Sequence, residues 1–259
     1  MHVLTQAALD FGGSNAYSGV STSRTLMLKE LTSLLAATPT PREASRNDYK
    51  VAIVNDNVLM KPSAATRSKT YSYLRDRFAL DPGVPIFRVL RLLWERDPAG
   101  QPLMALLVAA FRDPVLRSTV PAMADRQVDQ AFPSREFGHT INLAFPNKLN
   151  EVTLKAAGER ATSTYRQSGH LRGRRDCVRQ RVAPTPGSAT FALLFASLGG
   201  AAGLALLESK WVRLLDSPGE LILSEARVAS SRGWLEYRHA GDVLEISFRQ
   251  LMASIGEPQ

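Results

Sequence analysis

Three proline-bearing breaks divide the middle of the chain and limit what it can fold into: Asp81-Pro82-Gly83, Asp97-Pro98-Ala99-Gly100 and Asp113-Pro114. Proline has no backbone N–H and pushes the residue before it out of the helical region, so no helix runs through these points. The segments between them, 86–95, 103–111 and 115–123, are dense in Leu, Val and Phe. They read as short, buried helices. Upstream, Leu26, Leu28, Leu31, Leu34 and Leu35 recur at near-helical spacing until Thr38-Pro39-Thr40-Pro41. Residues 43–57 read as the next helix, and 127–132 as a further helical turn or two. No strand pattern precedes residue 140. The expected fold is mainly α, a helical bundle with helix-turn-helix elements.

Pro146-Asn147 is the expected boundary between an N-terminal helical domain, 1–146, and a C-terminal one, 147–259. Residues 151–167 read as a helix stopped at Ser168-Gly169, and 220–231 as another ending at Gly233. The runs 234–238 and 243–248 read as strands joined by His239-Ala240-Gly241-Asp242. Helices followed by a hairpin are the order of a winged-helix unit, so a winged-helix-like C-terminal hairpin is expected.

Residues 188–207 carry no charge and raise the question of a membrane span. Many of the apolar positions are alanine, and Gly199-Gly200 interrupts the run. Two short buried helices are the expectation, and membrane contact is not. The N-terminus has no basic region followed by an apolar core, so it does not read as a secretory signal. Cys177 is the single cysteine, which excludes an intrachain disulfide and fits a cytoplasmic protein.

Charge is the informative part of the composition. Of a formal net +8, residues 61–77 hold +4 and residues 151–182 hold +5, so the remainder carries −1. Such concentration points to a polyanionic partner. In the first segment Pro62 makes a turn and Ser63 is placed to cap a helix. At 100° per residue, Tyr71, Leu74 and Phe78 share one face. Lys69, Tyr73 and Arg77 share the opposite, outward face, flanked by Thr66 and Thr70. Arg67 lies near the apolar stripe. The second segment, 166–181, has six arginines and two glycines. Arginine's planar fork matches phosphate oxygens. The candidate nucleic-acid contacts are therefore Lys61, Arg67, Lys69, Tyr73, Arg75 and Arg77, with Arg166, His170, Arg172, Arg174, Arg175, Arg179 and Arg181. A solvated surface, or arginines paired to acids elsewhere, is the plainer alternative.

No catalytic constellation stands out. There is no phosphate-loop or dinucleotide motif. The four histidines have no partners at ligand spacing, and Glu136-x-x-His139 occurs once where di-iron bundles need two. Cys177 lies among Arg174, Arg175 and Arg179, which favours a thiolate, but no base accompanies it. No cofactor, metal or enzymatic activity is expected.

Asn57, Leu59, Lys61, Ser63, Thr66, Leu74, Arg75 and Arg77 form the pattern N-x-L-x-K-x-S-x-x-T…L-R-x-R, which resembles the BrxA family of BREX phage-exclusion systems. That family's turn reads N-L-L-x-K/R-R-S-x-x-T, and Pro62 stands here for its basic residue. Weaker similarity runs through 101–107, 113–116 and 149–171. The resemblance implies a small helical, NusB-like or helix-turn-helix protein that binds double-stranded DNA without catalysis, beside other BREX proteins. Family members are also described as inner-membrane proteins. RNA binding and a protein–protein adaptor role are the alternatives that remain open at this stage.

Overall fold

The computed structural model describes residues 3–17, 19–38, 44–174, 176–241 and 243–256. Fourteen α-helices and two small antiparallel hairpins make up the described residues, so the fold is mainly α. The N-terminal helices are α1 (Gln6–Asp10), α2 (Val20–Ser23), α3 (Leu28–Ala37), α4 (Arg46–Val54) and α5 (Ala64–Phe78). Then come α6 (Pro85–Arg96), α7 (Gln101–Arg112), α8 (Pro114–Ala124), α9 (Arg135–Ala144) and α10 (Glu151–Gln167). A hairpin of β1 (Leu171–Arg172) and β2 (Val178–Arg179) leads to α11 (Pro186–Leu198), α12 (Lys210–Arg213) and α13 (Gly219–Ser231). The chain continues through β3 (Glu236–Ala240) and β4 (Val243–Ser247) to α14 (Arg249–Ile255).

The breaks that end one helix also begin the next. Pro85 and Pro114 each open a helix, where the missing N–H is no loss. Asp113 accepts from the N–H groups of Val115 and Leu116, satisfying donors that no helical carbonyl can reach. Ser45 with Asp48, and Thr185 with Ser188, close capping boxes on α4 and α11. Asn150 caps α10 through the Thr153 N–H.

The core centres on α7 and α11. Residues 103–111 are all buried, and so are 187–196. Phe111 stacks on Phe195 with ring centroids 3.9 Å apart, and Trp211 lies 5.4–5.5 Å from both. Burial of α11 explains its lack of charge. Its 13 residues span about 20 Å, short of a ~30 Å hydrocarbon layer. No described helix is long and apolar enough to cross a membrane.

Three expectations are corrected. Residues 127–132 are not helical. Ala131 bridges Val178, and Phe132 donates to the Cys177 carbonyl, so the strand-like segment lines the β1–β2 hairpin. The arginine-rich segment runs from the end of α10 through that hairpin. Beyond Gly199-Gly200 there is a 3-10 turn, Gly203–Leu206, in place of a second helix. The β3–β4 hairpin pairs as Ala240 with Val243 and Glu236 with Ser247, but α14 follows it. Helix α9 was not foreseen: its stripe is only Phe137, Gly138 and Ile141.

The α9–α10 connection contains Pro146-Asn147, and the two helices pack along each other. Glycine permits the approach. A Cβ on Gly158 would lie 2.5 Å from the Ser134 carbonyl oxygen and 3.1 Å from the Gly138 nitrogen. Both obstacles are backbone. Gly158→Ala should gain about 1 kcal/mol of helix propensity and lose about 1–3 kcal/mol to overpacking. Urea unfolding should therefore show net destabilisation; a more stable variant would mean that α9 and α10 do not meet this way.

Candidate nucleic-acid interface

The segment before α5 is built by its own side chains. Asn57 and Met60 adopt left-handed backbone angles, φ 53° and 51°. The Asn57 side chain accepts from the Lys61 N–H at 2.7 Å and donates to the Lys61 carbonyl at 3.1 Å. Ser63 caps α5 by accepting from the Thr66 N–H at 3.2 Å. Lys61 is drawn sideways into an ion pair with Glu30 at 3.0 Å.

The outward face of α5 is not the one expected from Lys69, Tyr73 and Arg77. Thr70, Tyr71, Leu74, Arg77 and Phe78 are buried. The exposed positions are Ala64, Ala65, Ser68 and Lys69, with Ser72 and Arg75 half-exposed. The arc is rotated because α2, α4 and α7 all pack against α5 and cover more than its apolar stripe. Arg77 is 1% exposed and donates to Ser21 Oγ at 3.5 Å and to the Arg24 carbonyl at 3.3 Å. Burial lowers its pKa, and the charge of Asp113 works against that shift. Asp113 in turn accepts from the Ser21 N–H and hydroxyl. Arg77 is thus a structural cation of the core and not a phosphate contact.

The other expected residues of this segment divide by environment. Tyr73 is half-buried beneath the Arg24 guanidinium, 4.8 Å from its ring centroid. Arg75 binds the Asp76 carboxylate at 2.8 and 3.0 Å, so its charge is locally balanced. Arg67 is half-buried, with Nε lacking a partner. Lys69 projects into solvent and makes no ion pair with a described residue.

In the second segment, β1 and β2 pair Leu171 with Arg179 and Arg172 with Val178. Leu171, Cys177 and Arg179 point inward; Arg172, Arg174 and Arg181 are exposed. Gly173, at φ 100°, makes the turn, and a Cβ there would meet the Asp176 carbonyl oxygen at 2.5 Å. Arg166 is half-buried and donates to the Gly173 carbonyl at 3.3 Å, bracing the hairpin. Arg175 lies outside the described residues. The Cys177 thiol is buried and faces the Gly173 carbonyl at 3.4 Å.

Arg179 and His170 are removed from solvent. Arg179 is fully buried, pairs with Asp216 at 3.0 Å and donates to the carbonyls of Met123, His170 and Gln180. His170 Nε2–H donates to the Leu214 carbonyl at 2.8 Å, and Nδ1 faces Ser168 Oγ at 2.9 Å. Desolvation pushes its pKa down to about 3, with the charge of Arg179 adding to the effect and the Leu214 bond opposing it. The neutral ring is the folded form, so its contribution is complete above the unfolded value near 6.5. It falls by about 1.4 kcal/mol per pH unit below that, down to the folded value. Melting curves from pH 7 to 4 should decline with this slope, and His170→Gln should flatten it. An unchanged slope in the variant would assign acid sensitivity elsewhere.

The two basic segments meet around the start of α3. Helix α2 packs against both α5 and α10. Gln167, the last residue of α10, accepts from the Leu28 N–H at 3.1 Å. Two residues on, Glu30 holds Lys61. The α2–α3 connection therefore runs between α5 and the C-terminal end of α10.

Elsewhere, Glu136 is ion-paired with Arg126. Among the described residues no three His, Cys, Asp or Glu side chains are grouped to hold a metal ion. The chain matches no known family model, and no curated protein matches it.

Proposed function

We propose that this chain is a non-enzymatic, cytoplasmic protein that binds double-stranded DNA, as an accessory component of a phage-exclusion system of the BREX type. The observation that carries the DNA reading is the corrected outward face of α5. Ala64, Ala65, Ser68 and Ser72 are small enough for a helix backbone to come close to a duplex. Lys69 flanks them, and Arg172 and Arg174 on the β1–β2 hairpin and Arg181 just after it are exposed. Hydroxyls and cations of this kind make the phosphate contacts that position a protein on DNA. Helices α4 and α5 serve as the helix-turn-helix, with α5 second. Their connection, 55–63, is longer than the usual ~3–4-residue turn.

The C-terminal order α11, α12, α13, β3, β4 supports a winged-helix-like unit. Its charge does not favour DNA: residues 219–250 hold four arginines against five acids, and Arg238 lies 3.8 Å from Glu245. The defence setting rests on the motif at Asn57, Leu59, Lys61, Ser63 and Thr66.

Binding to a 20-base-pair duplex should fall steeply with salt. Four exposed cations on phosphates give a log–log slope of about −4. Absence of binding near 50 mM salt would sink the proposal, and preference for structured RNA over duplex DNA would redirect it to RNA.

A further inference from the structure

Arg24 belongs to neither basic segment, yet the fold sets it between them. It follows α2 and precedes α3, on the connection flanked by α5 and the end of α10. Its backbone is held at both ends: the N–H donates to the Val20 carbonyl at 2.7 Å, and its carbonyl accepts from Arg77 at 3.3 Å. Its side chain is exposed, with the guanidinium carbon 4.8 Å from the Tyr73 ring centroid. Tyr73 lies one helical turn beyond Lys69 on α5, so the guanidinium and the Lys69 ammonium flank the same edge of the helix. Acids on the neighbouring segments are engaged. Glu30 holds Lys61, Asp76 holds Arg75, and Asp113 is buried on Ser21. Lys29, beside Glu30, is exposed.

We infer that Arg24 is a phosphate-binding residue, positioned by the Tyr73 ring, that joins the two basic segments into one track for the DNA backbone. Stacking on an aromatic face leaves the guanidinium edge, with its N–H donors, free for phosphate oxygens. The ring also limits the rotamers that binding would otherwise have to freeze. Half-burial of Tyr73 then has a purpose: it is the platform under Arg24, not itself a contact. The arginine's own anchor, Arg77, explains why a buried cation lies directly beneath this edge.

This inference rests on the DNA reading, and the test separates the two. Arg24→Gln, Lys69→Gln, Tyr73→Phe and Tyr73→Leu are compared with the wild-type chain on a 20-base-pair duplex across a salt series. Each of Arg24→Gln and Lys69→Gln should reduce the salt slope by about one and weaken binding about 8-fold near 0.1 M salt, uniformly across sequences. Tyr73→Phe keeps the ring and should bind as wild type. Tyr73→Leu should weaken binding, and should add nothing to Arg24→Gln. If Lys69→Gln loses a unit of slope while Arg24→Gln keeps the wild-type slope, Arg24 is not on the track. If Tyr73→Leu binds as wild type, the platform role is wrong. If the wild-type chain does not bind duplex DNA, the DNA reading itself falls.

Discussion

Changing Lys69, Arg172 and Arg174 together to glutamine is expected to weaken duplex binding about 500-fold near 0.1 M salt. All three side chains stand in solvent, on α5 and on the β1–β2 hairpin. Each phosphate neutralised releases roughly 0.9 of a counterion, so three contacts amount to about 2.7 log units of affinity extrapolated to 1 M. The salt slope should become shallower by about three. Folding should hardly change, since exposed substitutions away from structural features stay within about 0.5 kcal/mol. Fluorescence anisotropy across a salt series, beside thermal melts, reads both quantities. A variant that melts like wild type and binds like wild type would move the site elsewhere. A variant that keeps DNA binding but loses association with other defence proteins would favour an adaptor whose basic face meets an acidic partner.

Arg179→Ala should behave in the opposite way, with a loss of about 3–5 kcal/mol in stability. Arg179 has no exposed side-chain surface, while the Asp216 side chain is 17% exposed. Removing the guanidinium leaves a nearly buried carboxylate without its cation. It also removes the side-chain donor to the carbonyls of Met123 and Gln180, while the His170 carbonyl keeps the Gln180 N–H at 2.8 Å. Burial penalises the Arg179 charge and Asp216 compensates, which is why removal of one partner costs more than the pair contributes. Against a total stability of about 5–15 kcal/mol this is a large fraction. For a chain of this size it corresponds to a fall in melting temperature on the order of 10 °C. Arg179→Met fills the space but not the charge and should recover part of the loss. Chemical denaturation provides the check, and a loss below about 1 kcal/mol would mean that the pair is not formed in solution.

Both results concern arginines from one run of sixteen residues, and nothing local distinguishes them. Within residues 166–181 the arginines look alike, and one acid is present to pair with them. Asp216, which neutralises Arg179, is 37 positions away, and Leu214, which holds His170, lies beside it in the chain. On α5 the apolar positions Tyr71, Leu74 and Phe78 mark the inner stripe correctly. They do not show that α2 covers a second side, where Arg77 meets Ser21 and the Arg24 carbonyl. Ser68, Ser72 and Arg24 carried no signal of their own, because small and polar residues are ordinary on any solvated surface.

What the sequence determined by itself was local. The helix cap at Ser63, the helix break at Asp113-Pro114, the span of α10, the presence of a hairpin within 234–248 and the concentration of charge all follow from short-range chemistry. A cap, a proline ring or an alternation acts on atoms within a few residues. The tertiary structure decided which charges reach solvent, which are spent inside the fold, and that the two basic segments lie on either side of Arg24. Those outcomes depend on desolvation and on partners dozens of residues away. The same guanidinium is a surface contact at Arg174 and a core ion at Arg179, according to what packs around it.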